Sequence, residues 1–193
     1  MLTELLKART REQHRVMEES NPLPNSRSEY IGQLMSFYGF VVPWEEQLAS
    51  VLPATDSIRV GRAKTGWLEA DLEFFGYDVA QRNQLPRAQT LPATSSRAEI
   101  LGAAYVLEGA TLGGQFITRH LRGMLQLPGP DGYRFFNSYG DHVGSQWQAF
   151  RGELLAASSP ANDAVIVDAA QNTFNLLRDW FVQQKKTHES RIR

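Results

Sequence analysis

The chain has 193 residues, enough for one domain with a sizeable core, and its 42% hydrophobic, 21% charged and 10% aromatic content lies in the globular range. Twenty basic against twenty-one acidic side chains leave a formal charge of -1, which excludes whole-chain attraction to nucleic acid or anionic lipid. The absence of cysteine excludes disulfides, thiolate nucleophiles, iron–sulfur ligation and cysteine-based zinc sites, so any metal must be held by His, Asp, Glu or Tyr.

The first residues, Met-Leu-Thr-Glu-Leu-Leu-Lys, carry charges where a signal peptide needs an apolar run. No stretch approaches about eighteen uninterrupted apolar residues. A soluble, cytoplasmic protein with no nucleic-acid or membrane partner is therefore expected. Leu2 to about Glu19 contains no Gly or Pro and sets Leu2, Leu5, Leu6, Gln13, Val16 and Met17 along one helical face. The turn formers Ser20 to Asn25 end it. A second helix starts at Ser26 or Ser28 and runs to Leu52, with a kink expected at Pro43. A polar segment leads into a third helix, Arg62 to Phe75, with Gly76 placed as its C-terminal cap. A loop covers Asn83 to about Ser95.

Ser96-Arg-Ala-Glu99 is a capping-box pattern that opens a glycine-rich apolar helix to Met124, terminated by Pro128-Gly-Pro-Asp-Gly132. Tyr133 to Ala157 and Asn162 to Lys186 read as the last two helices, and Thr187 to Arg193 as a frayed tail. No alternating strand pattern of useful length occurs. The expectation is an all-α, single-domain helical bundle of six or seven helices over residues 1–186.

None of His14, His120, His142 and His188 has a Glu three residues before it, so the di-iron pattern of helical bundles is missing, as is His-Glu-x-x-His. His14 is the informative one. At about 100° per residue, Lys7, Arg11, His14 and Glu18 form a strip flanking the apolar face. Glu18 lies at i+4, placed to accept the Nδ1 proton and leave Nε2 for a metal. Lys7 is two turns away, roughly 10 Å, a distance suited to an acidic rim on a large planar ligand. The same strip also reads as a solvated flank with an i, i+4 pair. The second signal is Gly109, Gly113 and Gly114 inside Tyr105-Val-Leu-Glu-Gly-Ala-Thr-Leu-Gly-Gly-Gln-Phe116. Each glycine costs a helix about 1 kcal/mol relative to alanine, so something must compensate. Close packing of another helix and a flat ligand against bare backbone both fit. Arg119, His120 and His142 read as surface groups or ligands, and the aromatic series from Tyr133 to Phe181 as core. Arg134 and Tyr139 are candidates for an anionic ligand.

Together, the helix bearing Lys7, Thr10, His14 and Glu18 and the later Glu108-Gly-Ala-Thr-Leu-Gly-Gly-Gln-Phe-Ile-Thr-Arg-His-Leu121 resemble the heme oxygenase family. The likeness is closest to its bacterial, biliverdin-producing members associated with bacteriophytochromes. Phe135-Phe-Asn-Ser-Tyr-Gly140 and the late Thr173-Phe174 to Trp180 helix agree. The resemblance implies heme as substrate and cofactor, O₂ as co-substrate, and products biliverdin (the α isomer), carbon monoxide and ferrous iron. It implies His14 as proximal iron ligand with Glu18 behind it, and Gly109, Gly113 and Gly114 as a distal wall of backbone. Lys7 matches a position that pairs with a heme propionate; Arg11, Arg134 and Tyr139 are candidates for the same role. An external electron donor, a ferredoxin with its reductase or an ascorbate-like reductant, is implied, with a bacteriophytochrome as acceptor of the product. One departure stands out: mammalian-type members place an aspartate after the first distal glycine, and this chain has Ala110. That leaves a non-catalytic heme carrier or sensor as the alternative. A heme-free enzyme on a similar bundle, such as a thiamine-related hydrolase, is a third reading, and the missing cysteine argues against it.

Overall fold

In the computed structural model, residues 1–127 and 131–192 are described, with side chains through Lys186. They are helices and connecting turns, with no strand among the described residues. The first apolar stretch forms two helices rather than the single one expected, α1 (Leu2–Arg9) and α2 (Arg11–Ser20). Thr10 separates them at φ -101°, ψ 3°, and its Oγ1 donates to the Leu6 carbonyl at 2.8 Å. A β-branched residue that bonds back to the preceding turn competes with the helical pattern there.

In α3 (Arg27–Val51), Ser26 caps the start by accepting the Glu29 N–H at 3.2 Å. Pro43 lies inside this helix and has no N–H for the Gly39 carbonyl. The Ala88 N–H donates to that carbonyl at 2.8 Å, so a loop residue repairs the gap and the helix continues to Val51.

α4 (Thr65–Phe74) starts three residues later than the sequence suggests. Both oxygens of Glu45 accept backbone N–H groups there, from Lys64 at 2.6 Å and Thr65 at 3.3 Å, so a carboxylate on α3 satisfies the first turn of α4. At its other end Gly76 takes φ +92°, and the Tyr77 N–H reaches back to the Leu72 carbonyl at 2.9 Å, the left-handed closure expected of that glycine. The short α5 (Val79–Asn83) was not expected; reciprocal bonds between Asp78 and Gln81 nucleate it.

The Ser96 box is formed as expected, with Glu99 N–H to Ser96 Oγ at 3.2 Å and Ser96 N–H to the Glu99 carboxylate at 2.8 Å. It opens α6 (Arg97–Leu125). The expected terminator at 128–130 lies outside the described residues. The single helix expected from Tyr133 is broken into α7 (Arg134–Asn137), a 3₁₀ turn (Gly140–His142) and α8 (Val143–Ala156). Ser138 and Gly140, at φ +52° and +55°, stand in conformations a helix does not admit. α9 (Pro160–Ile192) starts at a proline, whose missing N–H costs nothing in a first turn, and contains no glycine. Its backbone carries the expected tail as helix as far as Ile192.

Contacts group the chain into two units, each assembled from separate segments. The first comprises Met1–Pro22, Thr90–Gly109 and Ser145–Arg193. Its core holds Leu2, Leu6, Leu101, Phe150, Leu154, Ile166 and Phe181, all almost fully buried. The second comprises Leu23–Gln89 and Ala110–Gly144, around Tyr30, Leu34, Phe40, Leu68, Leu72 and Leu121. α6 alone among the described helices is long and apolar enough to cross a membrane. With 56% of that window buried in the protein, the apolarity is accounted for by packing.

Within the first unit α6 and α9 approach at Gly102, where a Cβ would stand 2.3 Å from the Ile166 carbonyl oxygen and 2.7 Å from the Ala169 Cβ. Backbone on both sides leaves no side chain to yield. Gly102→Ala is expected to destabilise the protein by about 1–3 kcal/mol, the usual cost of overpacking. Urea denaturation with an unchanged m-value checks this.

Candidate functional site

The strip containing His14 is built from two helices. Lys7 lies on α1, while Arg11, His14 and Glu18 lie on α2, and all four are exposed. The Thr10 N–H to Leu6 and His14 N–H to Thr10 bonds, both 2.9 Å, carry the chain across the break. The His14 side chain is 59% exposed, with Nδ1 at 3.5 Å from the Glu18 carboxylate, the outer limit of hydrogen-bonding distance. The ring of Phe174 on α9 meets the imidazole edge-on at 5.8 Å between centroids. The ring is thus braced on one side, its Nδ1 is turned toward a carboxylate, and Nε2 makes no hydrogen bond among the described residues. Those are the requirements of a single axial ligand whose proton is held on the far nitrogen. No group of three or more potential metal-binding side chains converges among the described residues.

The glycines of α6 separate into two kinds. Gly114 is a packing glycine: a Cβ there would stand 2.2 Å from the Phe136 carbonyl oxygen. The backbone of α7 takes the space beside it. Gly113 is the opposite case, with nothing within 4 Å of a Cβ, and Gly109 meets only Trp147 Cη2 at 4.0 Å. No helix fills these positions. Leu112 and Phe116, exposed by 44% and 61%, lie three and seven residues beyond Gly109 and extend the bare strip with apolar surface.

The α7 segment carries the other two candidates. Arg134 pairs with Asp131 at 2.5 Å, so its guanidinium is already shared with a carboxylate. The Tyr139 ring packs edge-on against Trp67 at 5.2 Å, with the Lys64 ammonium 5.6 Å from its centre. Asp71 of α4, fully buried, anchors the segment: its two oxygens accept the N–H groups of Arg134 at 2.8 Å and Phe135 at 2.9 Å. Burial pushes the Asp71 carboxyl up to about 6, against the lowering effect of those bonds and of Arg134. His120 is structural, with Nε2 2.7 Å from the Pro24 carbonyl oxygen.

Lys7, Arg11, His14, Glu18 and Gly109 thus belong to the first unit, and Gly113, Gly114, Arg134 and Tyr139 to the second, with Gly109 to Gly114 on the same helix. A family model for heme oxygenase matches residues 1–183. The chain belongs to the heme oxygenase family. Its members are heme-degrading oxidoreductases, and heme is the substrate against which the site must be judged. The fold agrees with solved structures at low identity. Heme oxygenase from Leptospira interrogans has 19% identity, TM-score 0.73, and coverage of 94% of this chain and 98% of that one. The NO- and CO-bound heme oxygenase of Neisseria meningitidis has 23% identity, TM-score 0.72, and coverage of 94% and 92%. Heme oxygenase 2 of Chlamydomonas reinhardtii, without heme, has 20% identity, TM-score 0.74, and coverage of 93% and 95%. No curated protein sequence matches the chain.

The residues fit a heme: an exposed, braced imidazole with one nitrogen unbonded, cations on its strip, and a helix surface with two open glycine positions. Sequence reasoning missed Asp71, which has no local signal in Glu-Ala-Asp-Leu-Glu, and assigned Phe174 and Trp147 to the core. Both aromatics do pack, but each also faces a site residue.

Two outcomes follow from this geometry. Gly113→Ala is expected to stabilise the heme-free protein by up to about 1 kcal/mol, because alanine is the better helix former and its methyl meets nothing. Gly114→Ala is expected to destabilise it by about 1–3 kcal/mol. Thermal denaturation of the pair checks this. Asp71 has a folded value above its unfolded 3.8, so its contribution is full below about pH 4 and is lost as pH rises through about 6. The stability of the wild type relative to Asp71→Asn should therefore fall by about 3 kcal/mol across that window and stay flat above it, as measured by denaturant titration at each pH.

Proposed function

We propose that this protein opens heme to biliverdin, in its α isomer, with release of carbon monoxide and ferrous iron, using O₂ and electrons from an external donor. The observation that carries the reading is the open position at Gly113. A glycine in mid-helix costs about 1 kcal/mol, and here no packing within the protein compensates for it. A flat ligand lying against the bare backbone does.

Heme, as substrate, supplies the iron that activates dioxygen and the ring that is opened. His14 would hold the iron through Nε2, with Glu18 beside Nδ1 at 3.5 Å to orient the ring. Phe174 limits rotation of that ring. Lys7 and Arg11 offer positive charge to the propionates, and Arg134 and Tyr139 offer a further cation and a hydroxyl. Gly109 and Gly113 would offer bare backbone to the ring, where the lack of side chains lets it approach closely. Leu112 and Phe116 add apolar surface to that wall. The α isomer suits a bilin-binding photoreceptor such as a bacteriophytochrome as acceptor, and the cytoplasm as the place of action. The second reading, a heme carrier or sensor, is favoured by one observation: Ala110 stands where a proton-organising carboxylate would help turnover.

Hemin added to the purified protein should give a one-to-one Soret complex. Ascorbate under air, with catalase present, should then remove the Soret band and raise a broad red absorption. A stable complex in place of that change would identify a carrier. His14→Ala is expected to lower turnover by at least tenfold, and wild-type turnover in that variant would overturn the role of His14. Gly113→Leu, with fold intact by circular dichroism, is expected to weaken heme binding by about tenfold or more, read from the same Soret titration.

A further inference from the structure

α7 and the turn after it form the most strained stretch of the described chain. Ser138 stands at φ +52°, ψ -123°, a combination favoured only by glycine, and Gly132 and Gly140 flank it at φ +92° and +55°. Such a stretch keeps one geometry only if its surroundings hold it. The holding groups are few. Asp71 takes the N–H groups of Arg134 and Phe135, the Tyr30 hydroxyl donates to the Gly132 carbonyl at 2.8 Å, and the Gln115 side chain donates to the Gly140 carbonyl at 3.2 Å. Phe135 and Phe136 pack on Phe37, at 4.8 and 5.6 Å between centroids.

We infer that Asp71 is a positioning residue for the heme site: its carboxylate, on α4, holds α7 in place beside the Gly114 contact with α6, and so sets where Arg134 and Tyr139 stand. The inference rests on the reading that these two residues meet the heme. Asp71 is suited to this because it bonds to backbone at both oxygens and is fully buried, so no water can replace it. The contact it enforces is as close as backbone allows, since the Phe136 carbonyl sits where Gly114 would carry a Cβ. An ionised carboxylate accepts two N–H groups, whereas a protonated one turns an O–H toward one of them. The ionisable groups that act on it or that it acts on are Arg134, the first residue of α7, and Tyr30 of α3. Tyr30 is raised by burial and by the charge of Asp71, which leaves it a donor throughout the neutral range.

Asp71→Asn in the full chain tests this, because the amide keeps the shape but sets an NH₂ against one backbone donor. Amide exchange followed by NMR should be about tenfold faster at Arg134 and Phe135 and unchanged in α8 and α9. Heme affinity from Soret titration should fall about tenfold at pH 8. Combining Asp71→Asn with Gly114→Ala should give less than the product of the separate effects, because both release α7. Wild-type exchange at these two amides, or wild-type heme affinity, in Asp71→Asn overturns the inference alone. Absence of any Soret complex in the wild type overturns the heme reading together with it. If Asp71→Asn does not fold, Tyr30→Phe removes one hydroxyl from the same hold and should speed exchange near Gly132 and weaken heme binding two- to threefold; no change in either overturns the inference.

Discussion

At Gly114 the carbonyl oxygen of Phe136 lies 2.2 Å from where a Cβ would be, and at Gly102 the carbonyl of Ile166 lies at 2.3 Å. Backbone meeting backbone without side chains between is the constraint on which both units depend. It fixes α9 against α6 in the first unit and α7 against α6 in the second. Because neither side has a rotamer to adjust, these contacts admit little drift. Each holds its own unit's part of α6, and on the same helix Gly109 and Gly113 are left open.

That division gives one helix two uses. A helix interior with five glycines sacrifices about 1 kcal/mol at each, and packing against backbone offsets it at Gly102 and Gly114 only. At Gly113 nothing in the protein stands where a Cβ would be, and in the proposed function a ligand lies against that backbone. Of the two explanations open to a glycine-rich helix, close packing applies at Gly114, and the residue beside it, Gly113, is left open for the ligand of the proposed function. His14 shows a related economy. Its ring is positioned by Phe174 and Glu18 yet remains mostly exposed, so the residue is oriented without being buried.

Long-range carboxylates do much of the remaining work. Glu45 on α3 satisfies the first N–H groups of α4, and Asp71 on α4 satisfies those of α7. In each case a side chain far away in sequence replaces the local Ser, Thr or Asp cap that the following helix lacks. The Ala88 N–H does the equivalent for the Gly39 carbonyl left unbonded by Pro43. All three hold an irregular piece of chain in a fixed place, which a site built from loops and short helices requires.

The sequence by itself determined the all-helical class, the Ser96 cap, the Gly76 stop, the candidate strip at His14 and the glycine stretch. These depend on residues within a turn or two of one another, where periodicity and capping act. The breaks at Thr10 and Ser138, the short α5 and the late start of α4 were not legible. Apolar spacing continues through the first two, and what interrupts the helix is a side-chain bond to Leu6 in one case and a strained turn held from outside in the other. Only the tertiary structure decided which glycines pack and which stay open, and that Asp71 rather than a neighbour of Arg134 holds α7. A glycine reads the same in the sequence whether its missing Cβ leaves room for a carbonyl or for a ligand, because the difference lies in which distant backbone comes near.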